Sequence, residues 1–269
     1  MSQNQSSYCA SITADIEAHL KQLIPLKPPL AVFEPMHRMT FAVPPNSAPA
    51  LCVAACELVG GHRSHAMAAA AALHLMHAAS FTHEHLPLTD RPKPKPKPTV
   101  HRDYGPNIQL LVPDAMVPFG YELLALSDDP TQNTSGRVLR VITELSRVMG
   151  PQGMVDALYR ELLVGQLDGG HELNDTELIE DMCRKKEGRL HACAAACGAI
   201  LGGANEEETE NLRIYGFYVG VIQGYINRVG RKEEEELERV KELRNLALKE
   251  LEHFKGMKVE EISSFAFSF

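Results

Sequence analysis

The chain has 269 residues and a formal net charge of −8 at pH 7, and its 44% hydrophobic content is enough for a core rather than wholesale disorder. The acidic balance argues against nucleic acid as a general partner, because phosphate binding requires a basic footprint. No apolar run approaches the roughly 18 consecutive residues of a membrane span.

Apolar residues recur at three- and four-residue spacing in nearly every segment, which predicts amphipathic helices. In chain order, the predicted helices cover residues 11–22, 50–59, 64–82, 112–126, 135–149, 153–166, 175–201, 206–229 and 232–255. No segment shows convincing β-alternation. The sequence therefore predicts one all-α domain over residues 1–269, with flexible ends at 1–10 and 256–269 and an exposed aromatic tail.

Residues 91–98 alternate proline with basic side chains, inside an irregular stretch that spans 86–103. Alternating proline fixes φ and removes amide donors, so this stretch is expected to be extended and solvated. We consider two interpretations, a basic surface loop and an anion-facing loop beside a diphosphate site.

A family resemblance begins in residues 50–61, ALCVAACELVGG, and continues through 75–83, 121–125, 198–203 and Tyr215-Gly216. In these motifs the chain resembles the short-chain polyprenyl diphosphate synthases, in particular the plant geranylgeranyl diphosphate synthases. The resemblance covers about residues 35–229. It implies a bundle of long antiparallel helices around a deep cavity, where two aspartate-rich motifs hold magnesium against an allylic diphosphate.

The first aspartate-rich motif is degraded in this chain. Its two leading positions hold Glu84 and His85, and Asp90 is the aspartate that remains before the Pro–Lys alternation. Adjacent residues of a helix do not share a face, so His83, Glu84 and His85 are not expected to form a metal site. We interpret them as a remnant that cannot build the usual multi-magnesium cage.

The second motif is lost as well. Its positions fall on Asn227, Arg228 and Arg231, and an arginine there repels a metal cation. The basic residues that hold isopentenyl diphosphate in the family are replaced by VPPNSA at residues 43–48, whereas Lys186 matches a family lysine and remains a candidate for diphosphate binding. The chain alone is therefore predicted to have no catalytic residues and no metal site.

Two Cys-x-x-x-Cys motifs are formed by Cys52 and Cys56 and by Cys193 and Cys197. In a helix, such pairs lie on one face, and the small residues between them let a second helix approach closely. Packed core cysteines, a structural zinc and a disulfide within a pair are the alternatives. The spacing is unfamiliar for zinc, and helix geometry strains the disulfide.

Combined with the lost aspartates, these motifs resemble the small subunits of plant heteromeric geranyl diphosphate synthases. The resemblance implies that the four cysteines are partner-interaction motifs. The implied partner is a catalytic large subunit of the geranylgeranyl type, in a plastid heterodimer or heterotetramer whose Mg²⁺ lies in the large subunit. No nucleic acid or membrane is expected as a partner.

The expected function is to direct that large subunit to make geranyl diphosphate from dimethylallyl and isopentenyl diphosphates for monoterpene formation. Two alternatives stay open. The chain could be a divergent active prenyltransferase that uses Glu84, His85 and Asp90. It could also be a binder that only stimulates geranylgeranyl diphosphate output.

Overall fold

The structure is a computed structural model and describes residues 3–86, 103–132, 134–167, 176–229 and 234–267. Every regular element in these ranges is helical, which confirms the predicted all-α class. The helices are α1 Gln3–Leu23, α2 Leu30–Phe41, α3 Ala48–Leu58, α4 Arg63–Glu84, α5 Pro106–Leu126, α6 Ser135–Met149, α7 Met154–Leu167, α8 Thr176–Cys183, α9 Arg189–Gly202, α10 Glu206–Val229, α11 Glu234–Leu251 and α12 Val259–Ser263.

The centre of the bundle is built from α3, α4, α9 and α10. Helix α3 packs against α4 and α9, and α10 packs against α9 and α11. All residues of α3 except Glu57 are buried, and α9 is almost as apolar around its circumference. A helix that is apolar on every side must lie inside a bundle, so α3 and α9 form its core. Among the described residues, no helix is both long and apolar enough to cross a membrane.

Helix α2 and the junction between α8 and α9 differ from the predicted helices for reasons of local chemistry. Helix α2 was not predicted, because Pro28, Pro29 and Pro35 are typical helix breakers, yet Pro29 stands at its N-cap and Pro35 lies inside it. The predicted helix 175–201 is divided by a π-helical segment, Arg184–Gly188, which joins α8 to α9. Such segments often mark functional positions.

Helical structure extends into both of the segments that were predicted to be flexible. Helix α1 already begins at Gln3, within the predicted flexible end. The prediction of an exposed aromatic tail is wrong for Phe265, which is 1% exposed beside Ile262. The hydroxyl of Tyr215 donates to the carbonyl oxygen of Ile262 at 2.6 Å, and so ties this segment to α10. The Pro–Lys stretch, residues 91–98, lies outside the described residues.

Candidate functional site

His83, Glu84 and His85, at the first degraded motif, point in different directions, as helix geometry predicts. Glu84 ends α4, is 7% exposed and forms an ion pair with Lys186. His85 turns back, and its Nδ1 lies 2.7 Å from a carbonyl oxygen of its own helix. His83 faces α5, with Nε2 3.4 Å from Oδ1 of Asp114. Asp90 lies outside the described residues.

Arg228, at the second degraded motif, makes contacts that a metal ligand would not make. Its Nη2 donates to Oε1 of Glu161 at 2.8 Å, and its Nη1 donates to Oε2 of Glu187 at 2.9 Å. The same Nη1 lies 3.2 Å from the sulfur of Cys183 at the end of α8. The neighbouring Asn227 is exposed, and Arg231 lies outside the described residues.

Lys186 joins the two degraded motifs into one network. Besides its pair with Glu84, its Nζ lies 3.7 Å from Oε1 of Glu161, the carboxylate that also binds Arg228. We call this group the internal ion-pair cluster; its members are Glu84, Glu161, Lys186, Glu187 and Arg228. It connects α4, α7, the π-helical segment and α10, and sequence analysis missed Glu161 because no motif marks it.

Both cations of the cluster remain charged in this setting. Burial alone would lower the pKa of Lys186, but the carboxylates of Glu84, Glu161 and Glu187 raise it above its usual value. Burial likewise opposes the charge of Arg228, and Glu187 and then Glu161 outweigh it, so that its pKa is also raised. The two cations are therefore held as paired charges and not as free anion-binding groups.

Glycines on α10 make room for the cluster. A Cβ at Gly224 would lie 2.9 Å from Oε2 of Glu187 and 3.1 Å from the sulfur of Cys183. One turn earlier, a Cβ at Gly220 would lie 2.3 Å from the backbone oxygen of Glu187. Because these positions lack side chains, the π-helical segment approaches α10 closely and its carboxylate reaches Arg228.

The residues present do not fit the magnesium ions that the family resemblance implies. Magnesium requires near-octahedral oxygen ligands, and here Lys186 and Arg228 already occupy the carboxylates that converge on this place. The guanidinium group of Arg228 would also repel a divalent cation. In the part of the chain that the structure describes, no group of three or more His, Cys, Asp or Glu side chains could hold a metal.

Residues 43–48, where the family resemblance places the basic residues that hold isopentenyl diphosphate, contain no charged side chain. The Ser47 hydroxyl donates to Oε1 of Gln223 at 2.9 Å and lies 2.9 Å from Nε2 of His191. Burial lowers the pKa of His191 to about 4, so this imidazole is uncharged near neutral pH. A cavity of about 400 Å³ beside Ser47 has neither lysine nor arginine among its described lining residues. Nothing in this wall favours a diphosphate.

The two Cys-x-x-x-Cys motifs meet at the contact between α3 and α9. Cys52, Cys56 and Cys197 are fully buried and Cys193 is 3% exposed. The sulfurs of Cys193 and Cys197 are 3.8 Å apart, and both cysteines are free thiols. Burial, followed by the nearby Cys56 and Cys193, raises the pKa of Cys52 well above its usual value.

These four thiols therefore lie inside the subunit, where a partner cannot touch them unless α3 and α9 separate. Gly198 of α9 packs directly on the backbone of Cys52, since a Cβ there would lie 1.9 Å from the Cys52 carbonyl oxygen. This burial favours the interpretation as packed core cysteines. The partner-interaction role of the motifs stays a prediction, and it would have to act through the position of the two helices.

Comparison with known proteins gives consistent matches. The sequence profile of the polyprenyl synthetase family matches residues 46–223. The chain is 62% identical over 263 residues to heterodimeric geranylgeranyl pyrophosphate synthase small subunit 2, chloroplastic, of Cannabis sativa, covering 97% of this chain and 91% of that protein. It is 33% identical over 259 residues to the corresponding small subunit of Arabidopsis thaliana, covering 92% and 76%.

A solved structure with the same fold is the geranyl diphosphate synthase small subunit from Antirrhinum majus. The two share 54% identity and a TM-score of 0.88, covering 99% of this chain and 100% of that chain. A deletion mutant of the heterotetrameric geranyl pyrophosphate synthase of mint matches with 49% identity and a TM-score of 0.82, covering 97% and 99%. These matches extend over nearly the whole chain.

Proposed function

Because the chain belongs to the polyprenyl synthetase family, we propose that it is a non-catalytic regulatory small subunit of a heteromeric geranyl diphosphate synthase. It binds a large subunit of the geranylgeranyl type and directs it to join dimethylallyl and isopentenyl diphosphates into geranyl diphosphate. The observation that carries this proposal is the internal ion-pair cluster, in which Lys186 and Arg228 occupy the carboxylates. Catalytic Mg²⁺ and catalytic residues belong to the large subunit.

The relatives support a heteromeric and plastid setting for this proposal. Those from Cannabis sativa and Arabidopsis thaliana are named heterodimeric and chloroplastic, and the mint structure is of a heterotetramer. We therefore propose that this chain works in the plastid, with monoterpene precursors as the output. The assembly is a heterodimer or a pair of heterodimers.

The chain can alter product length only if it binds one conformation of its partner better than another, because differential affinity is what shifts a conformational equilibrium. We infer that docking favours a partner conformation with a narrow product cavity. Elongation would then stop after a single condensation, without any group of this chain touching the substrate.

A second candidate function is favoured by the names of the relatives. Those from Cannabis sativa and Arabidopsis thaliana are small subunits of geranylgeranyl pyrophosphate synthases, whereas the solved structures are of geranyl diphosphate synthases. On this second reading the chain raises the output of its partner and leaves the product at twenty carbons.

Co-purification followed by product analysis tests both candidates. The chain, carrying an affinity tag, is co-expressed with a plant geranylgeranyl diphosphate synthase, and the complex is supplied with Mg²⁺ and both five-carbon diphosphates. The proposed function predicts a shift from the twenty-carbon to the ten-carbon product, relative to the large subunit alone at equal concentration. A faster reaction with an unchanged product supports the second candidate. Failure to co-purify contradicts both.

A further inference from the structure

We propose that Lys186 and Arg228 are permanent counter-ions of the internal ion-pair cluster, so that this subunit holds its converging carboxylates together with side chains and needs no divalent cation to do so. The proposal deepens the proposed function, on which it rests for the identification of this cluster with the two degraded aspartate-rich motifs. It assigns a structural role to Lys186 and Arg228, which lie at positions where the family resemblance leads one to expect ligand-binding residues.

The geometry of the cluster carries this inference. Glu161 lies between the two cations, 2.8 Å from Nη2 of Arg228 and 3.7 Å from Nζ of Lys186. Glu84 pairs with Lys186 from the end of α4, and Glu187 pairs with Arg228 from the π-helical segment. Each carboxylate thus has a cation, and the pairs bridge four separate parts of the bundle.

Because the side chains of the cluster are poorly exposed to solvent, their ion pairs affect the stability of the fold. The side chains of Glu84, Glu161, Lys186 and Glu187 are 9%, 14%, 14% and 18% exposed, and that of Arg228 is 25% exposed. Three carboxylates so poorly solvated would repel one another if no cation lay between them. Removal of one cation therefore takes a partner away from poorly solvated carboxylates, which is more destabilising than the loss of a fully exposed pair.

The same pairs bear on the candidate diphosphate-binding role of Lys186. A diphosphate would have to displace the carboxylates of Glu84 and Glu161, both within reach of the ammonium group. A diphosphate would also come close to the three carboxylates of Glu84, Glu161 and Glu187, which repel an anion at short range. The inference therefore excludes diphosphate as well as metal from this place in the folded subunit.

The substitution Arg228→Met tests the proposal, since it keeps an apolar stem and uncovers the carboxylates of Glu161 and Glu187. Arg213→Met is the matched control. Arg213 lies on the same helix, is 26% exposed and contacts Glu144 at 2.8 and 3.0 Å. The melting temperature of each full-length protein is measured in chelator and in Mg²⁺, and Mn²⁺ binding is measured by electron paramagnetic resonance.

The expected result is a wild-type melting temperature that does not respond to Mg²⁺. Arg228→Met should melt at a lower temperature in chelator, bind Mn²⁺ and recover in Mg²⁺, whereas Arg213→Met should show no recovery. For free Mg²⁺ at 100 times the Kd, linkage predicts a rise of roughly 5–10 °C.

A wild-type protein that binds Mn²⁺ and is stabilised by Mg²⁺ as strongly as the variant would overturn the proposal. Lys186→Met, which uncovers Glu84 and Glu161 instead, is the second variant. Metal-insensitive stability in both variants would also overturn it. None of these readouts depends on the large subunit or on product length, so failure here is distinguishable from failure of the proposed function.

Discussion

The substitution Gly198→Ala tests the contact that places the cysteine motifs inside the subunit. The added Cβ would lie 1.9 Å from the carbonyl oxygen of Cys52, 2.8 Å from its carbonyl carbon and 3.0 Å from Cβ of Ala55. The nearest two atoms belong to the backbone of α3, which cannot rotate away as a flexible side chain would. Helices α3 and α9 must therefore move apart along their buried contact.

Two opposing effects set the magnitude. Alanine is better than glycine in a helix interior by about 1 kcal/mol. Overpacking of a well-packed core typically costs about 1–3 kcal/mol, and a clash with backbone belongs at or above the upper end. We expect a net loss of about 2 kcal/mol or more in the free energy of unfolding, equivalent to a fall of roughly 4–8 °C in Tm.

Gly136→Ala provides the matched control, because Gly136 lies in α6 and a Cβ there meets nothing within 4 Å. Gly136 is the second residue of α6, so this variant should gain less than the about 1 kcal/mol that alanine gains over glycine in a helix interior. Urea unfolding followed by circular dichroism measures both variants under identical conditions. The free energy of unfolding should fall in Gly198→Ala and rise in Gly136→Ala. A Gly198→Ala protein as stable as the wild type would refute the close contact between α3 and α9.

Three further predictions concern other parts of the fold. Since burial lowers the pKa of His191 to about 4, the unfolded chain binds more protons between that value and 6.5. Lowering the pH from 7 to 5 should then cost about 2 kcal/mol through this group. His191→Gln should flatten the pH dependence of the urea midpoint, and an unchanged slope would contradict the assignment. Tyr215→Phe removes a buried hydrogen bond to Ile262 and should lower the free energy of unfolding by about 1 kcal/mol. Proteolysis of the C-terminal segment should also be faster in this variant, and a rate equal to that of the wild type would contradict the role of this hydrogen bond. Cys193→Ala should weaken partner co-purification only as far as it lowers stability, whereas lost binding at an unchanged midpoint would indicate direct contact.

The all-α fold could be predicted because periodicity and end signals are local. Residues 135–149 and 206–229 were predicted with the ends that the structure gives to α6 and α10. The splaying of His83, Glu84 and His85 was also predictable, since it follows from helix geometry. The absence of aspartate at the second motif is visible in the amino-acid sequence itself.

The ion-pair cluster could not be predicted, because it depends on contacts between distant segments. Glu161 and Arg228 are far apart in sequence, and neither residue type nor spacing signals that they meet. The π-helical segment Arg184–Gly188 has no local signature, although it sets where Lys186 and Glu187 point. The C-terminal Phe265 was placed on the surface for the same reason, since its buried site is formed by other helices.

The burial of the cysteines changes how the motifs should be understood. In the folded subunit they lie at the contact between α3 and α9, so the predicted effect on subunit pairing would have to pass through the shape of that contact. Arg228, which replaces an expected metal ligand, likewise has a structural role, because it donates hydrogen bonds to Glu187 and Glu161. In both features, residues that the sequence motifs single out contribute to the packing of the subunit itself.

The most direct test of the central claim assigns turnover to one subunit of the complex. The large subunit is inactivated by replacing its own aspartate-rich motifs, co-purified with the intact chain, and supplied with Mg²⁺ and both five-carbon diphosphates. This complex should form no prenyl product. Ten-carbon product should appear when the active large subunit is restored. Product formation by the complex with the inactivated partner would contradict the claim that this chain regulates without catalysing.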